Sequence, residues 1–372
     1  MRPVSPVRPL IPSPDGLSIE VIDQTLLPHQ SHVVKLSTRD EVAHAIHSMI
    51  VRGAPLIGAS AAWGLVFALR DHASNQALEE SCAILNATRP TAINLAWALK
   101  RMRDHLLPLP PSDRFEAAQR EARAICEEDE SQNYAIGQHG LAILQALYKQ
   151  KQRPLRVLTH CNAGALATVG WGTALAPLYL AQLAGVPFKV WVDETRPRNQ
   201  GALTAWELHR AGIQHTYIAD NAGGHLMQHG LVDCVIVGAD RVSAQGDVCN
   251  KIGTYLKALA AKEAGIPFYA AVPSPTLDWT IQDALKEIPI EERNADEVTW
   301  VQGLTKEGKL ESVRVTPVGV ESGNAAFDVT PARLITGILT EQGLFAATLS
   351  GLQSLQQQLT LSQESTEKHH PV

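Results

Sequence analysis

Val235 to Thr254 reads VIVGADRVSAQGDVCNKIGT, and the fold turns on this stretch. Leu231 to Ala239 is apolar apart from Asp233, with β-branched Val232, Val235, Ile236 and Val237, the composition of a buried parallel strand. Asp240 follows at the strand's C-terminal end. Beyond the loop, Ile252, Tyr255, Leu256, Leu259 and Ala260 recur at helical spacing, which predicts a helix with Asn250 and Lys251 at its N-terminus among free backbone N–H groups. A lysine there opposes the helix dipole unless it and those groups share an anionic ligand. For a single Lys, a solvated side chain is the plainer alternative.

The pattern repeats outward from this point. Strand signals fall near Arg156–Thr159, Phe188–Val192, His215–Ala219, Val232–Ala239 and Phe268–Val272. Helical periodicity fills Ala165–Ala184, Leu203–Ala211, a short piece from Gly223, and Ile252–Ala264. This alternation predicts a doubly wound, Rossmann-like α/β domain with a mostly parallel sheet. Ligands of such sheets bind beyond the carboxyl ends of the strands. The polar residues gather at those ends: His160-Cys161-Asn162, Asp193-Glu194-Thr195-Arg196, Asp220-Asn221 and Asp240-Arg241.

The N-terminal third reads differently. Gly16–Leu27 and Ser31–Leu36 are expected to pair as a β-hairpin, after which Thr38 and Glu41 form a capping box that opens a helix. Further helices are expected after Arg52-Gly53-Ala54-Pro55 and after Thr88-Arg89-Pro90-Thr91, and a long one runs from near Phe115 towards Leu147. Arg52, Arg89 and Lys251 thus all stand at expected helix starts. Two readings of the arginines stay open, an anionic ligand or carboxylates across a domain interface. The expected organisation is a mainly helical domain with its leading hairpin over residues 1–150, a Rossmann-like catalytic domain over 151–350, and a Gln-rich tail over 351–372, disordered or loosely docked.

Of the 372 residues 45% are apolar and 19% charged, ordinary for a soluble globular protein. A net charge of −6 and the lack of any Lys/Arg run argue against nucleic acid or an anionic membrane as partner. Five cysteines without a C-x-x-C pair suggest neither a disulfide framework nor a structural zinc site, and fit a reducing cytoplasm. The proline-rich start MRPVSPVRPLIPSP has no apolar signal-peptide core and reads as a flexible lead. Cys161 to Phe188 carries no charge and exceeds the ~20 residues a bilayer needs, yet its glycines and flanking strand signals assign it to a strand end and a buried helix. No dinucleotide fingerprint or P-loop is present, which disfavours a nucleotide cofactor.

The motifs Arg52-Gly53-Ala54-Pro55, Thr88-Arg89-Pro90-Thr91-Ala92, His160-Cys161-Asn162 with Gly164, Asp193-Glu194-Thr195-Arg196-Pro197, Gln200-Gly201-Ala202, Gly238-Ala239-Asp240-Arg241 and Asn250-Lys251-Ile252-Gly253-Thr254 closely resemble those of the methylthioribose-1-phosphate isomerases. So do Ile288 to Arg293 and Asn324 to Pro331, and the resemblance runs from Leu17 to Gly343 in the family's order. It departs in being one residue shorter between Ala202 and Leu203, and in Ala325 where the family has Pro. The resemblance implies an aldose-ketose isomerase of methionine salvage, cytoplasmic and homodimeric, acting on a sugar phosphate without metal or organic cofactor. It implies catalytic roles for Asp240 and Cys161, and substrate contacts for Arg52, Gly53, Ala54, Arg89, Gln200, Asn250 and Lys251. Ribose-1,5-bisphosphate isomerase and the non-catalytic regulatory subunits of the initiation-factor exchange complex share this fold and are the alternatives it raises.

The chemistry follows from residue types. A phosphate on the anomeric oxygen blocks the ordinary opening of a sugar ring to a free aldehyde, so an acid must act on the ring oxygen. Desolvation behind an apolar strand favours the neutral, donating form of Asp240, while Lys251 nearby opposes it. Hydrogen then moves between C2 and C1, either as a proton with Cys161 or Asp240 as base or as a hydride in a dry site. Cys161 stands just before an expected helix start, where the field favours its thiolate; an inert buried thiol is the alternative.

Overall fold

The computed structural model describes residues 6–367. The expected hairpin forms from β2 (Ile19–Ile22) and β3 (Val33–Leu36), and β1 (Leu10–Pro12) adds a third antiparallel strand beside β2. The flexible lead is therefore corrected from Leu10 onward, since that side chain is buried; residues 1–5 lie outside the described residues. Helix α1 (Arg39–His47) opens with the capping box of Thr38 and Glu41. It is followed by α2 (Ala54–Leu69), α3 (Asn75–Ala87), α4 (Ile93–Leu106) and α5 (Pro111–Lys151). Apolar on every side, α2 is the centre of this helical core, with Trp63 fully buried.

Helix α5 has 41 residues, ~60 Å at 1.5 Å per residue, and serves two cores. Ala117, Ala118, Ala122 and Ile125 pack in the N-terminal core, whereas Ile136 and Leu144 pack on the sheet that follows. That sheet comprises β4 (Leu155–Thr159), β5 (Phe188–Asp193), β6 (His215–Ile218), β7 (Cys234–Val237), β10 (Phe268–Ala271), β15 (Gly337–Thr340) and β16 (Gly343–Phe345), in the order β16-β15-β10-β7-β4-β5-β6. Every pairing is parallel except that of the edge strand β16. Val157, Val190 and Ile236 point to the face covered by α5 and α6 (Ala176–Leu183). Leu158, Val235, Val237 and Phe268 point to the face covered by α8 (Ala222–Gln228) and α9 (Thr254–Glu263), while α7 (Gln200–Arg210) follows β5. The near-continuous apolar runs of these strands reflect cover on both faces.

A second sheet of order β11-β8-β9-β14 comprises β8 (Arg241–Ser243), β9 (Val248–Lys251), β11 (Leu277–Asp278) and β14 (Phe327–Thr330). It corrects the expected position of Asn250 and Lys251. They lie on β9, opposite Asp328 and Phe327, and α9 begins only after Gly253 at φ +100°. The helix expected over Ala165–Ala184 is likewise only α6, preceded by a 3-10 turn at Ala165–Ala167; Trp171 and Gly172 at φ +67° and +78° cannot continue a right-handed helix. The short helices α10 (Ala284–Glu287) and α11 (Asp296–Thr299) and the hairpin of β12 (Trp300–Leu304) with β13 (Leu310–Arg314) lie between β11 and β14.

Of the Gln-rich tail, residues 351–367 form a docked helix rather than a disordered segment, and 368–372 lie outside the described residues. Helix α12 (Leu349–Glu367) docks through Leu352 and Leu355, both fully buried on the sheet, with Leu359 beside them. Their i, i+3, i+7 spacing makes one narrow apolar stripe on an otherwise Gln-rich helix.

Candidate active site

Chain order reverses between β4 and β7: β5 and β6 extend the sheet on one side, β10 and β15 on the other. A doubly wound sheet opens a crevice at such a switch point, beyond the carboxyl ends of its strands. Cys161 enters it from the loop after β4 and Asp240 from the loop after β7. They share a cavity of ≈ 70 Å³ with Arg52, Gly53 and Ala54 at the start of α2, Arg89, Thr91 and Ala92 ahead of α4, Gln200 at the start of α7, and Lys251 at the end of β9. Of the residues read from the sequence, Asn250 does not line this cavity. Side chains alternate along a strand, so Cys249 and Lys251 face inward while the Asn250 amide turns away and donates to Thr254 Oγ1 at 3.1 Å.

Two helix N-termini meet at the cavity. Neither Gly53, the N-cap of α2, nor Ala92, the N-cap of α4, offers a capping side chain to the first-turn N–H groups. Gly53 sits at φ +99°, and a Cβ there would lie 2.4 Å from Ala167 Cα, so only glycine lets the two loops meet. The basic groups differ in their partners. Arg89 fits the carboxylate reading in part, with Nη2 3.3 Å from Glu291, but its Nε and Nη1 are buried without a protein acceptor. Among the described residues Arg52 meets no carboxylate directly; Nη1 donates to Asn162 Oδ1 at 2.5 Å and Nη2 to Asn162 O at 2.6 Å. Lys251 Nζ donates to Ala326 O at 2.9 Å and lies over the Phe327 ring.

Asp240 is half-buried, and desolvation pushes its carboxyl above the usual range against the pull of Lys251, Arg89 and Arg52. Desolvation also lowers the Lys251 ammonium, while Cys161 and Asp240 support it. The expected thiolate at Cys161 is corrected. No α-helix starts behind it, and burial pushes the thiol up despite Arg52 and Lys251. Its backbone is left-handed, φ +65°, held by Cys161 N donating to Thr195 Oγ1 and by Thr204 Oγ1 donating to Cys161 O, both at 2.8 Å.

Several wall residues had no role in the sequence reading: Arg241, whose Nη1 is 3.1 Å from Asp278, and the apolar Met49, Ile57, Ile288, Pro289 and Phe327. They come from separate elements and loops, Ile57 on α2, Arg241 on β8 and Phe327 on β14, so no single local periodicity marks them as one wall. Behind Cys161, His160, Asp193 and Asp220 have metal-ligand proximity among the described residues, but their polar atoms are engaged apart from the buried Asp193 Oδ1. Lys257 Nζ lies 2.9 Å from Asp193, His160 Nε2 is 2.9 Å from Ile252 O, and Asp220 accepts from Thr195 N and Arg196 N. A larger hollow of ≈ 840 Å³ adjoins the cavity, sharing Met49, Arg52 and Gln200, but neither the acid nor the thiol lines it.

Fold and site together define a doubly wound α/β protein with an acid, a thiol and clustered cations at the switch point of its sheet. The model of the Initiation factor 2 subunit family matches residues 50–347. The chain is 57% identical to the methylthioribose-1-phosphate isomerase of Rhodospirillum rubrum, over 94% of this chain and 92% of that one. It is 58% identical to that of Gluconobacter oxydans, over 92% and 94%. The crystal structure of 5-methylthioribose 1-phosphate isomerase from Pyrococcus horikoshii superposes with a TM-score of 0.81 at 40% identity, over 94% of this chain and 96% of that one. The translation initiation factor eIF-2B delta subunit from A. fulgidus gives 0.73 at 37%, over 91% and 96%. The chain belongs to the Initiation factor 2 subunit family and, within it, to the methylthioribose-1-phosphate isomerases.

Proposed function

We propose that the chain converts 5-methylthio-D-ribose 1-phosphate to 5-methylthio-D-ribulose 1-phosphate, an aldose-ketose isomerisation in methionine salvage. The observation that carries this reading is the meeting of Asp240 and Cys161 in one cavity with Arg52, Arg89 and Lys251. The phosphate dianion is held by these cations and by the uncapped starts of α2 and α4, with the unpartnered donors of Arg89 as natural contacts. Gly53 and Ala54 supply backbone at the α2 start, and Gln200, whose buried Oε1 has no protein donor, contacts the sugar. Asn250 acts from behind Lys251 by tying β9 to Thr254.

Asp240 donates its proton to the ring oxygen as the C1–O bond opens, which burial favours by shifting the carboxyl towards its acid form. The hydride at C2 shifts to C1, C2 becomes the carbonyl, and the C2 hydroxyl proton returns to Asp240. The neutral Cys161 thiol sets a polarisable sulfur against the charge developing at C1. Substrate deuterated at C2 separates this route from an enediolate: the label stays in the product here and washes into water if a free base removes it.

The regulatory-scaffold alternative has no use for an acid and a thiol facing one cationic cavity. Ribose-1,5-bisphosphate isomerase would need a further cation for the second phosphate; Arg241 on this wall is already paired with Asp278, and the wall otherwise offers the apolar Met49, Ile57 and Phe327. Both substrates offered to the purified protein, with ketose followed by NMR, test the reading. Turnover of the methylthio sugar alone supports it; turnover of the bisphosphate alone, or of neither, refutes it.

The reading also takes the chain as a cytoplasmic homodimer. All five cysteines are free, and among the described residues no helix is long and apolar enough to cross a membrane. The β12–β13 hairpin and the segment after it expose Val313, Val315 and Val318, apolar side chains suited to contact with a second copy.

A further inference from the structure

Three residues on one face of α7 run from the cavity into the interior: Gln200 at the cavity wall, Thr204 one turn on and Glu207 beyond it. Glu207 is 2% exposed and is surrounded by neutral donors rather than by a cation. Its Oε1 accepts from Asn162 Nδ2 at 2.7 Å, and its Oε2 accepts from Ala165 N at 2.7 Å and Tyr179 OH at 2.8 Å. Burial raises its pKa above the ordinary carboxylate range, against the pull of these donors, and each of the contacts reaches it through an N–H or O–H. The loop presses hard on the carboxylate. A Cβ on Gly164 would stand 2.4 Å from Oε1 and 2.6 Å from Oε2, so any larger residue there would displace the carboxylate from its donors.

The link to the cavity runs through the Asn162 amide. An amide presents a donor at one end and an acceptor at the other, and in isolation either end can face Arg52. Glu207 accepts only, so it takes the NH₂ end, which also donates to Thr204 Oγ1 at 3.1 Å. Oδ1 is thereby turned to Arg52 Nη1, and Asn162 O receives Nη2. Thr204, from the same helix face, holds the carbonyl of the left-handed Cys161.

We propose that Glu207 is a positioning residue of the isomerase reaction: by fixing the orientation of the Asn162 amide it sets the Arg52 guanidinium in the cavity and anchors the loop that carries Cys161. This inference rests on the isomerase reading above. Its negative charge also supports the buried Arg52 cation through the amide between them.

The test moves the charge one residue along the chain of contacts. In Glu207→Gln, the new amide cannot accept from Asn162, Ala165 and Tyr179 all at once; its NH₂ drives Asn162 to flip and present a donor to the guanidinium. We expect kcat/KM to fall about 100-fold, much of it as a rise in KM. Adding Asn162→Asp restores complementarity. The carboxylate then at position 162 accepts from the new amide on one side and from Arg52 on the other, while the oxygen of that amide still accepts from Ala165 N and Tyr179 OH. The double variant is expected to recover at least about tenfold over Glu207→Gln, whereas Asn162→Asp alone sets two carboxylates together and is poor. Thermal melts run alongside, and a role in stability alone predicts no rescue of KM. Glu207→Gln within about threefold of wild type, or a double variant no better than the worse single one, overturns the proposal. Wild type that fails to turn over the methylthio sugar phosphate overturns the isomerase reading itself, and the inference with it.

Discussion

Asp129 is a carboxylate that the reaction does not need and that the fold has buried. It lies on α5, 8% exposed, where its Oδ2 accepts from Val169 N at 2.7 Å and desolvation pushes its pKa to about 7. In the unfolded chain the same group titrates near its ordinary value of 3.8. Below the lower value both states are protonated. Between the two, unfolding releases a proton that the folded protein retains, so stability falls by about 1.4 kcal/mol for each pH unit, and above about 7 the loss levels off at about 4 kcal/mol in all. Asp129→Asn keeps an acceptor for Val169 N and has no charge to bury. The variant should therefore match wild type near pH 4 and exceed it by about 4 kcal/mol at pH 8.5. Urea unfolding of both proteins across this range reads the difference, in which the other titrating groups cancel. A difference that stays flat from pH 4 to 8.5, or one that favours wild type at high pH, would falsify the reasoning.

Further outcomes follow from the site and the tail. On the proposed reading, replacing Arg89 by Gln removes one cation from the phosphate site and is expected to raise KM about 30-fold with a smaller change in kcat, read from steady-state kinetics. Burial raises the pKa of Asp240 and only its acid form donates, so kcat should decline as rising pH ionises it; a rate that instead climbs with that ionisation counts against Asp240 as the acid. Leu355→Ala should cost about 3 kcal/mol of stability, since its side chain is fully buried where α12 meets the sheet, and an unchanged melt would mean that the tail is not docked.

What could be read from the sequence depended on how local the determining signal was. Strands β4, β5, β7 and β10 are apolar runs covered on both faces, so composition alone found them, and with them the positions of Cys161 and Asp240 just past two of their ends. Thr38 and Glu41 marked the start of α1 because capping is settled within one turn. The helical period of Ile252 to Ala260 places Lys251 at a helix start, but β9 is fixed by pairing with Phe327 and Asp328, 75 or more positions away. That partner cannot be seen in a window around residue 250. Asn250 follows from the same cause, since the strand's alternation turns its side chain away from the face that Lys251 presents. The apolar wall of Met49, Ile57, Ile288 and Phe327 is assembled from three parts of the chain and has no period at all. Glu207 had a signal that went unused: an acid on the face of α7 otherwise defined by Leu203, Thr204 and Leu208 is a buried charge in waiting.

The most direct test of the account pairs wild type with Asp240→Asn, each incubated with 5-methylthioribose 1-phosphate and followed by NMR for the ketose. The account predicts steady conversion to 5-methylthioribulose 1-phosphate by wild type, and none by a variant that melts at the same temperature. A folded Asp240→Asn protein retaining more than about half the wild-type rate would contradict it, because the acid that opens the ring would then lie elsewhere.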